Sequence, residues 1–401
     1  MPWKQTEPVS QRREFILDFY RSGMSISESC RRFGISRKTG YKILKRHVEH
    51  GDAGLTDASR APHSHPNQTP AEIEAAVLRL RREHPTWGSK KLLALLERRA
   101  PQEPWPARST IDAILKRAGL VTPRGKRRPR QPASKPRVEA HAPNDVWSID
   151  YKGWFRVGDG TRCDPLTVQD VHSRASLVCD ALIAPKTADV RRSLTQAFRS
   201  YGLPLWMLSD GGPPFGSTGL GRLSKLSVWL VRHGVLPVLT EPGRPDQNGR
   251  HERFHETLKL ETARPPKASI RSQQSAFEAF QEEYNCVRPH EALGMKTPAE
   301  SYEPSPRDFD EDPPAHSYED RCEESRSVRR DGMIQWCGRY VFVGEAYSGE
   351  VIGLGREGDG VWRVELGPLW LGNLHERSRT IVPLPQGVTH VPGQRKDVHE
   401  A

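Results

Sequence analysis

The chain has 401 residues, more than one ordinary domain of roughly 100 to 200 residues holds, so two to four domains are expected. Apolar residues make up 35%, and no apolar run approaches the roughly 18 residues that cross a bilayer, which excludes a membrane-spanning helix and any membrane partner it would imply. The formal charge of +11 is uneven: residues 1–140 hold 29 Lys+Arg against 14 Asp+Glu, and the rest hold 32 against 36.

The basic excess is therefore entirely N-terminal. Such a front end collects a polyanion by displacing its condensed cations, nucleic acid being the commonest, although a well-solvated surface has the same composition. The polar start, residues 1–13, lacks the apolar stretch of a secretory leader. Six scattered cysteines without a Cys-x-x-Cys pair favour neither a disulfide framework nor a thiolate zinc site, and a reducing cytoplasm fits them.

In chain order, residues 11–51 read as three short helices. Ile16, Leu17 and Tyr20 mark the apolar face of the first, and Ile26, Cys30 and Phe33 that of the second. Gly34 turns the chain, and Ser36 caps a third helix from Arg37 to about Glu49, with Tyr41, Ile43 and Leu44 inward and Arg37, Lys38, Thr39 and Lys42 outward. A glycine turn followed by a capped basic helix is how a helix N-terminus enters the major groove, so these four are candidate DNA contacts in a helix-turn-helix domain over residues 1–60; many helical hairpins share the pattern.

Residues 69–120 repeat the plan. Thr69 caps a helix over 70–83 with the stripe Ile73, Ala76, Val77 and Leu80, and further helices follow over 90–98 and 109–118. A second DNA-binding helix-turn-helix and a plain packing bundle fit equally. Residues 121–143 form a basic, proline-punctuated linker, in which Arg124, Lys126, Arg127 and Arg128 are either solvated or track along phosphates.

Beyond it the chain changes character. Strands are expected over 146–155, 164–171 and 175–182, a helix over 187–201, a strand over 205–208, a helix over 220–233, a strand over 235–239, and helices over 247–262 and 270–287, making a mixed α/β sheet over residues 144–304. An acidic, proline-rich connector covers 305–328. Five short strands over 329–385 suggest a small β-barrel, and 386–401 reads as a disordered tail.

Three carboxylates stand out by position. Asp150 lies in a strand, where an acid is costly without work or a partner; Asp210 follows a strand end, where open α/β sheets collect ligands; Glu252 sits in the first turns of a helix. Converging, they would line a site for hard divalent cations such as Mg²⁺. Two such ions serve in-line phosphoryl transfer without a protein nucleophile.

Trp147-Ser148-Ile149-Asp150, Leu208-Ser209-Asp210-Gly211-Gly212-Pro213-Pro214-Phe215 and the run from Gly243 through Gln247-Asn248-Gly249 and Glu252 to Lys259 resemble the core of bacterial insertion-sequence transposases of the DDE, retroviral-integrase type. Tyr284-Asn285-Cys286-Val287-Arg288-Pro289-His290-Glu291 and Thr297-Pro298-Ala299-Glu300-Ser301-Tyr302 are similar to the segment closing that core. The resemblance implies an RNase H-like fold, with a winged-helix-like second module and an SH3-like barrel more loosely supported. It implies a metal-binding and catalytic triad of Asp150, Asp210 and Glu252, with two Mg²⁺ or Mn²⁺ ions.

Asp210 and Glu252 are separated by 41 residues, more than in retroviral integrases, and Asp246 is a nearer rival acid. Glu252 is preferred because it lies inside the helix, whereas Asp246 suits an N-terminal cap. Asn248, His255 and Lys259 share the Glu252 face, and Asn248 and Lys259 are candidate DNA contacts, Lys259 holding a phosphate or merely solvated. Asp170 reads as a turn former. The resemblance implies a bacterial, nucleoid-associated enzyme that binds terminal inverted repeats and target double-stranded DNA as a homo-oligomer. A catalytically silent DNA-binding regulator and an RNase H-like nuclease are the rival readings.

Overall fold

The structure, a computed structural model, describes residues 7–57, 68–121, 138–240, 249–384 and 389–390, in two compact units divided at Thr69 and Pro70. No helix among the described residues is long and apolar enough to cross a membrane.

The first unit holds α1 (Pro8–Ser22), α2 (Ile26–Arg32) and α3 (Arg37–His50). A reciprocal cap between Ser25 and Glu28 starts α2, and the Ser36 hydroxyl accepts the Thr39 N–H at 3.1 Å to start α3, as its position predicts. Phe15, Ile16, Cys30 and Leu55 form the core. Tyr41 was expected inward but is 61% exposed, and Leu17 and Tyr20 are exposed as well. The inward position of α3 is Gly40, where a Cβ would lie 2.3 Å from the Cys30 Sγ: a glycine, invisible to an apolar-periodicity reading, lets α2 and α3 approach.

The second unit opens with α4 (Ala71–Glu83), α5 (Ser89–Arg99) and α6 (Arg108–Arg117), packed around Val77, Leu80, Trp87, Leu92, Ile111 and Ile114. The cap position of α4 is Pro70 rather than Thr69 and makes no side-chain cap bond. This bundle docks on the segment after the last core helix: Arg98 pairs with Glu300 at 2.9 Å, Lys90 with Glu291 at 2.5 Å, and the Arg288 guanidinium lies 5.7 Å from the Trp87 ring centre.

The core sheet runs β2 (Phe155–Arg156), β3 (Arg162–Asp170), β1 (Val146–Tyr151), β5 (Trp206–Ser209), β6 (Leu236–Leu239), with β4 (Ser176–Leu182) paired to β3. The β1–β3 and β3–β4 pairs are antiparallel, and β1–β5 and β5–β6 parallel. The single strand expected over 146–155 breaks at Gly153, whose φ of 85° suits glycine. Helices α7 (Thr187–Tyr201) and α8 (Lys225–Arg232) pack on one core around Trp147, Ile149, Leu194, Phe198 and Trp229. The helix expected over 220–233 is shorter because Gly221 at φ 59° interrupts it and Ser224 caps a new start.

Helices α9 (Gly249–Thr262) and α10 (Ile270–Glu282) cover the other side through Phe254, Leu258, Phe277, Phe280 and Tyr284. Side-chain amides of the α10 segment satisfy the outer edge of β4. Gln274 accepts the Ala181 N–H at 2.7 Å, and Asn285 accepts the Ser176 N–H at 2.9 Å while donating to the Ser176 carbonyl at 2.9 Å. Asp170 is the turn former expected of it: fully buried, it accepts the Ser173 N–H at 2.6 Å and the Asn144 N–H at 2.8 Å.

The connector is no loose tether. Arg307 donates to the Pro204 and Gly234 carbonyls at 2.5 and 2.7 Å, and Phe309 stacks on His233 with centroids 5.2 Å apart. Beyond it, β7 (Glu324–Ser327), β10 (Val351–Gly358), β11 (Val361–Leu366), β12 (Leu369–His375) and β13 (Thr380–Pro383) form an antiparallel sheet, and β14 (Thr389–His390) adds to β12. The expected barrel does not close among the described residues. The hairpin β8 (Met333–Trp336) and β9 (Arg339–Phe342) pairs only with itself, contributing Ile334 and Trp336 to the shared core, so the sheet stays open. Of the tail expected from 386, only Thr389–His390 lies within the described residues.

Asn285→Leu leaves the buried Ser176 N–H without its acceptor. The expected cost is about 1 to 3 kcal/mol, read as a lower denaturant midpoint with an unchanged slope.

Candidate active site

Asp150 is the penultimate residue of β1, and Asp210 follows the last residue of β5. The parallel register sets Ser148 against Leu208, so two further steps bring Asp150 level with Asp210 on neighbouring strands. Adjacent strands lie about 4.8 Å apart, which places the two carboxylates within each other's field. Asp210 is exposed, and its Oδ1 accepts the Gly212 N–H at 3.4 Å. The loop after it is tight: a Cβ on Gly216 would lie 2.5 Å from the Gly211 carbonyl oxygen.

Glu252 occupies the first turn of α9. The buried stripe His251, Phe254 and Leu258 sets how that helix is rotated, leaving Glu252 exposed beside it. The carboxyl of Asp150 is pushed up to about 7, chiefly by burial, then by the negative charge of Asp210 and further by that of Glu252, against a hydrogen bond from the Tyr151 backbone. The charges of Asp210 and Glu252 thus reach Asp150 from elements far apart in the chain. Among the described residues, however, no three His, Cys, Asp or Glu side chains stand at the spacing of a closed metal site.

A buried hydrogen-bond network that sequence reasoning missed ties α9 to the sheet. His251 is fully buried; its Nδ1 lies 2.7 Å from the Ser148 Oγ on β1, and its Nε2 lies 2.6 Å from the Thr167 Oγ1 on β3. Thr167, the register partner of Asp150, donates to the Asp150 carbonyl at 3.1 Å and lies 2.7 Å from the His255 Nε2. The carbonyl only accepts, so proton counting makes both Nε2 atoms donors to Thr167, and with the His251 pKa lowered by burial the Ser148 hydroxyl donates to its bare Nδ1.

Both imidazoles are then neutral. Burial agrees, lowering the pKa of His251 well below its usual value and that of His255 to about 3, with Lys152 adding to the latter. The unprotonated Nδ1 of His255 is left 4.0 Å from the Asp150 Oδ2. The available signal was the pair of histidines one helical turn apart on either side of Glu252.

Of the candidate DNA contacts, Arg37, Lys38, Thr39 and Lys42 are exposed on the first turns of α3, and Lys259 is exposed on α9. Arg124, Lys126, Arg127, Arg128 and Asn248 lie outside the described residues, as does the rival acid Asp246. The second helical module is a packed bundle, and part of its surface is spent on the core.

Known proteins match in the same order. The integrase core domain family matches residues 140–245 and 233–298, a helix-turn-helix domain family residues 12–63, and a homeodomain-like domain family residues 39–115. The 31.7 kDa protein of insertion element IS407 from Burkholderia multivorans is 30% identical over 288 residues, covering 70% of this chain and 92% of that protein. The 39.2 kDa protein of insertion element IS476 from Xanthomonas euvesicatoria is 28% identical, covering 69% and 78%. The transposase InsD of insertion element IS2 from Escherichia coli is 25% identical, covering 69% and 90%. The catalytic core of HTLV-2 integrase with magnesium aligns over 41% of this chain and all of that one, at 15% identity and a TM-score of 0.33.

A carboxyl raised to about 7 in the folded chain, against about 4 unfolded, binds its proton more tightly when folded. Its stabilising contribution is therefore full below about pH 4 and lost as pH rises through 7. Without divalent ions, Asp150→Asn should raise the melting temperature by several degrees at pH 8 and by much less at pH 5; equal gains at both pH values would contradict the raised carboxyl.

Proposed function

Because the chain belongs to the insertion-sequence transposases of the DDE and integrase superfamily, we propose that Asp150, Asp210 and Glu252 are the acids with which it cuts and joins DNA strands. The protein is a DNA transposase with helix-turn-helix domains ahead of an integrase core. The observation that carries the proposal is Asp150, a strand carboxyl lifted to about 7 by its burial and by the other two acids. Such a group is stabilised as the anion only when a cation joins it.

The donor set is all oxygen, which suits Mg²⁺ or Mn²⁺. Asp150, Asp210 and Glu252 would hold two such ions, which supply charge stabilisation to an in-line displacement at phosphorus. Asp210 and Glu252 are exposed, so their side chains are free to draw in toward a cation, while Asp150 is fixed on the strand. In the first reaction water attacks the phosphodiester at the element end and the 3′-hydroxyl leaves; in the second that hydroxyl attacks a target phosphodiester, whose own 3′-oxygen leaves.

Around this centre the chain's own residues place the substrate. His251 and Thr167 hold α9 so that Glu252 stays beside Asp150, and Lys259, two turns along the same helix, takes a phosphate. The basic helix starting at Arg37 enters the major groove of the terminal repeat, Arg37, Lys38, Thr39 and Lys42 making its contacts. The basic segment with Arg124, Lys126, Arg127 and Arg128 follows the backbone, and Asn248 approaches the strand being cut. Two ends are joined in one event, so the working form on DNA is a homo-oligomer.

The test is strand transfer with duplex oligonucleotides carrying the repeats that bracket the reading frame, in Mg²⁺ or Mn²⁺. Asp150→Asn, Asp210→Asn and Glu252→Gln should each lower transfer by about a thousandfold while end binding stays within about twofold. Retained transfer in Asp150→Asn would refute the triad. Retained transfer in Glu252→Gln with loss in Asp246→Asn would move the third role to Asp246.

A further inference from the structure

Three residues beyond Asp150 the chain turns at Gly153 and presents Trp154 at 55% exposure. Two guanidinium groups flank this ring, Arg162 with its central carbon 5.1 Å from the ring centre and Arg156 at 5.9 Å. Both arginines are tied down. The Nε of Arg162 donates to the Oδ2 of buried Asp164 at 2.6 Å, and Arg156 donates to the Gly160 carbonyl at 2.8 Å. The indole is therefore held on the β2–β3 hairpin beside the two guanidiniums, with about half of its surface open to solvent.

Three more cations stand on the segments around this hairpin: Lys152 two residues before Trp154, and Lys259 and Arg264 in and just after α9. The segment following α9 meets the hairpin turn, where the Lys267 and Ala268 carbonyls accept backbone hydrogen bonds from Gly158 and Asp159. The ammonium of Lys152 lies 5.8 Å from the Phe155 ring centre. None of the three cations forms an ion pair with a carboxylate among the described residues. Lys152 is two residues from Asp150 in the chain, so the cluster borders the acids. Cations that repel one another without acidic partners are balanced by an incoming anion.

The kind of nucleic acid follows from the ring. A duplex interior offers base edges in its grooves and hides base faces, so an exposed indole finds a face to stack on only where a base is terminal or unpaired. We propose that Trp154, framed by Arg156 and Arg162, is a stacking platform for an unpaired nucleotide at a DNA end, and that Lys152, Lys259 and Arg264 take the phosphates next to it. The proposal rests on reading the neighbouring acids as the strand-cutting centre. It adds a reason for the cut strand to stay put: its end nucleotide is held while the phosphodiester beside it meets the acids.

The full chain is titrated in EDTA with two fluorescent duplexes of one sequence, one blunt and one ending in three unpaired nucleotides. The wild type should prefer the tailed duplex. Trp154→Ala should weaken tailed binding by roughly tenfold and blunt binding by less than about twofold, whereas Trp154→Tyr, which keeps a ring, should retain most of the preference. Absence of any tail preference in the wild type, or equal losses on both duplexes in a Trp154→Ala protein that melts normally, would overturn the platform. Because no metal or turnover is involved, that failure leaves the strand-transfer result with Asp150→Asn standing, and loss of the triad reading leaves the tail preference measurable.

Discussion

A fully buried histidine has no water to turn to, so both ring nitrogens of His251 must be satisfied inside the protein. Ser148 on β1 and Thr167 on β3 satisfy them, and these two hydroxyls stand on the strands that also carry Asp150 and its register partner. A helix bearing His251 has one rotation in which both bonds form. Because Glu252 is the next residue, the same two bonds decide where the third acid stands. Much of the remaining architecture serves to hold these three elements: the α9 stripe of Phe254 and Leu258 packs against Phe280 and Tyr284, and the Tyr302 hydroxyl closes the core on Asn144 at 2.8 Å.

The electrostatics follow from that placement. Positions that lock α9 to the sheet are neutral, because burial removes the charge from His251 and His255. The charges of Asp210 and Glu252 act on Asp150, and Lys152, Lys259 and Arg264, which form no ion pair among the described residues, stand on the same or adjoining segments. The two kinds of charge suit two kinds of ligand: the acids suit divalent cations, the lysines and arginine suit phosphates. A DNA strand with its metal ions brings both.

Element positions were legible where periodicity and caps agree: Ser36 starting α3, and the 187–201 helix, which the structure reproduces residue for residue. Asp150, Asp210 and Glu252 stood out in the sequence by their places on strand ends and a helix start; in the structure the charges of Asp210 and Glu252 reach Asp150, and no cluster of three His, Cys, Asp or Glu side chains that could hold a metal forms among the described residues. What failed has specific causes. Gly40 carries no hydropathy signal, so Tyr41 was put in its place. Strand count over 329–385 cannot reveal that β8 and β9 pair only with each other, so a barrel was expected where an open sheet forms. Acid and proline content marks the connector but does not reveal that Arg307 and Phe309 strap it to the core. The His251 network was missed because hydroxyls on two strands and a ring on a distant helix have no common sequence pattern.

The central claim is that a neutral histidine lock presents three acids to a pair of divalent cations without rearranging α9. Crystals soaked in Mn²⁺ and measured for anomalous scattering test it directly. The account predicts two peaks bounded by Asp150, Asp210 and Glu252, with His251 still bonded to Ser148 and Thr167. Peaks elsewhere, or an α9 that must leave its Ser148 and Thr167 contacts before Glu252 reaches the metal, would contradict it.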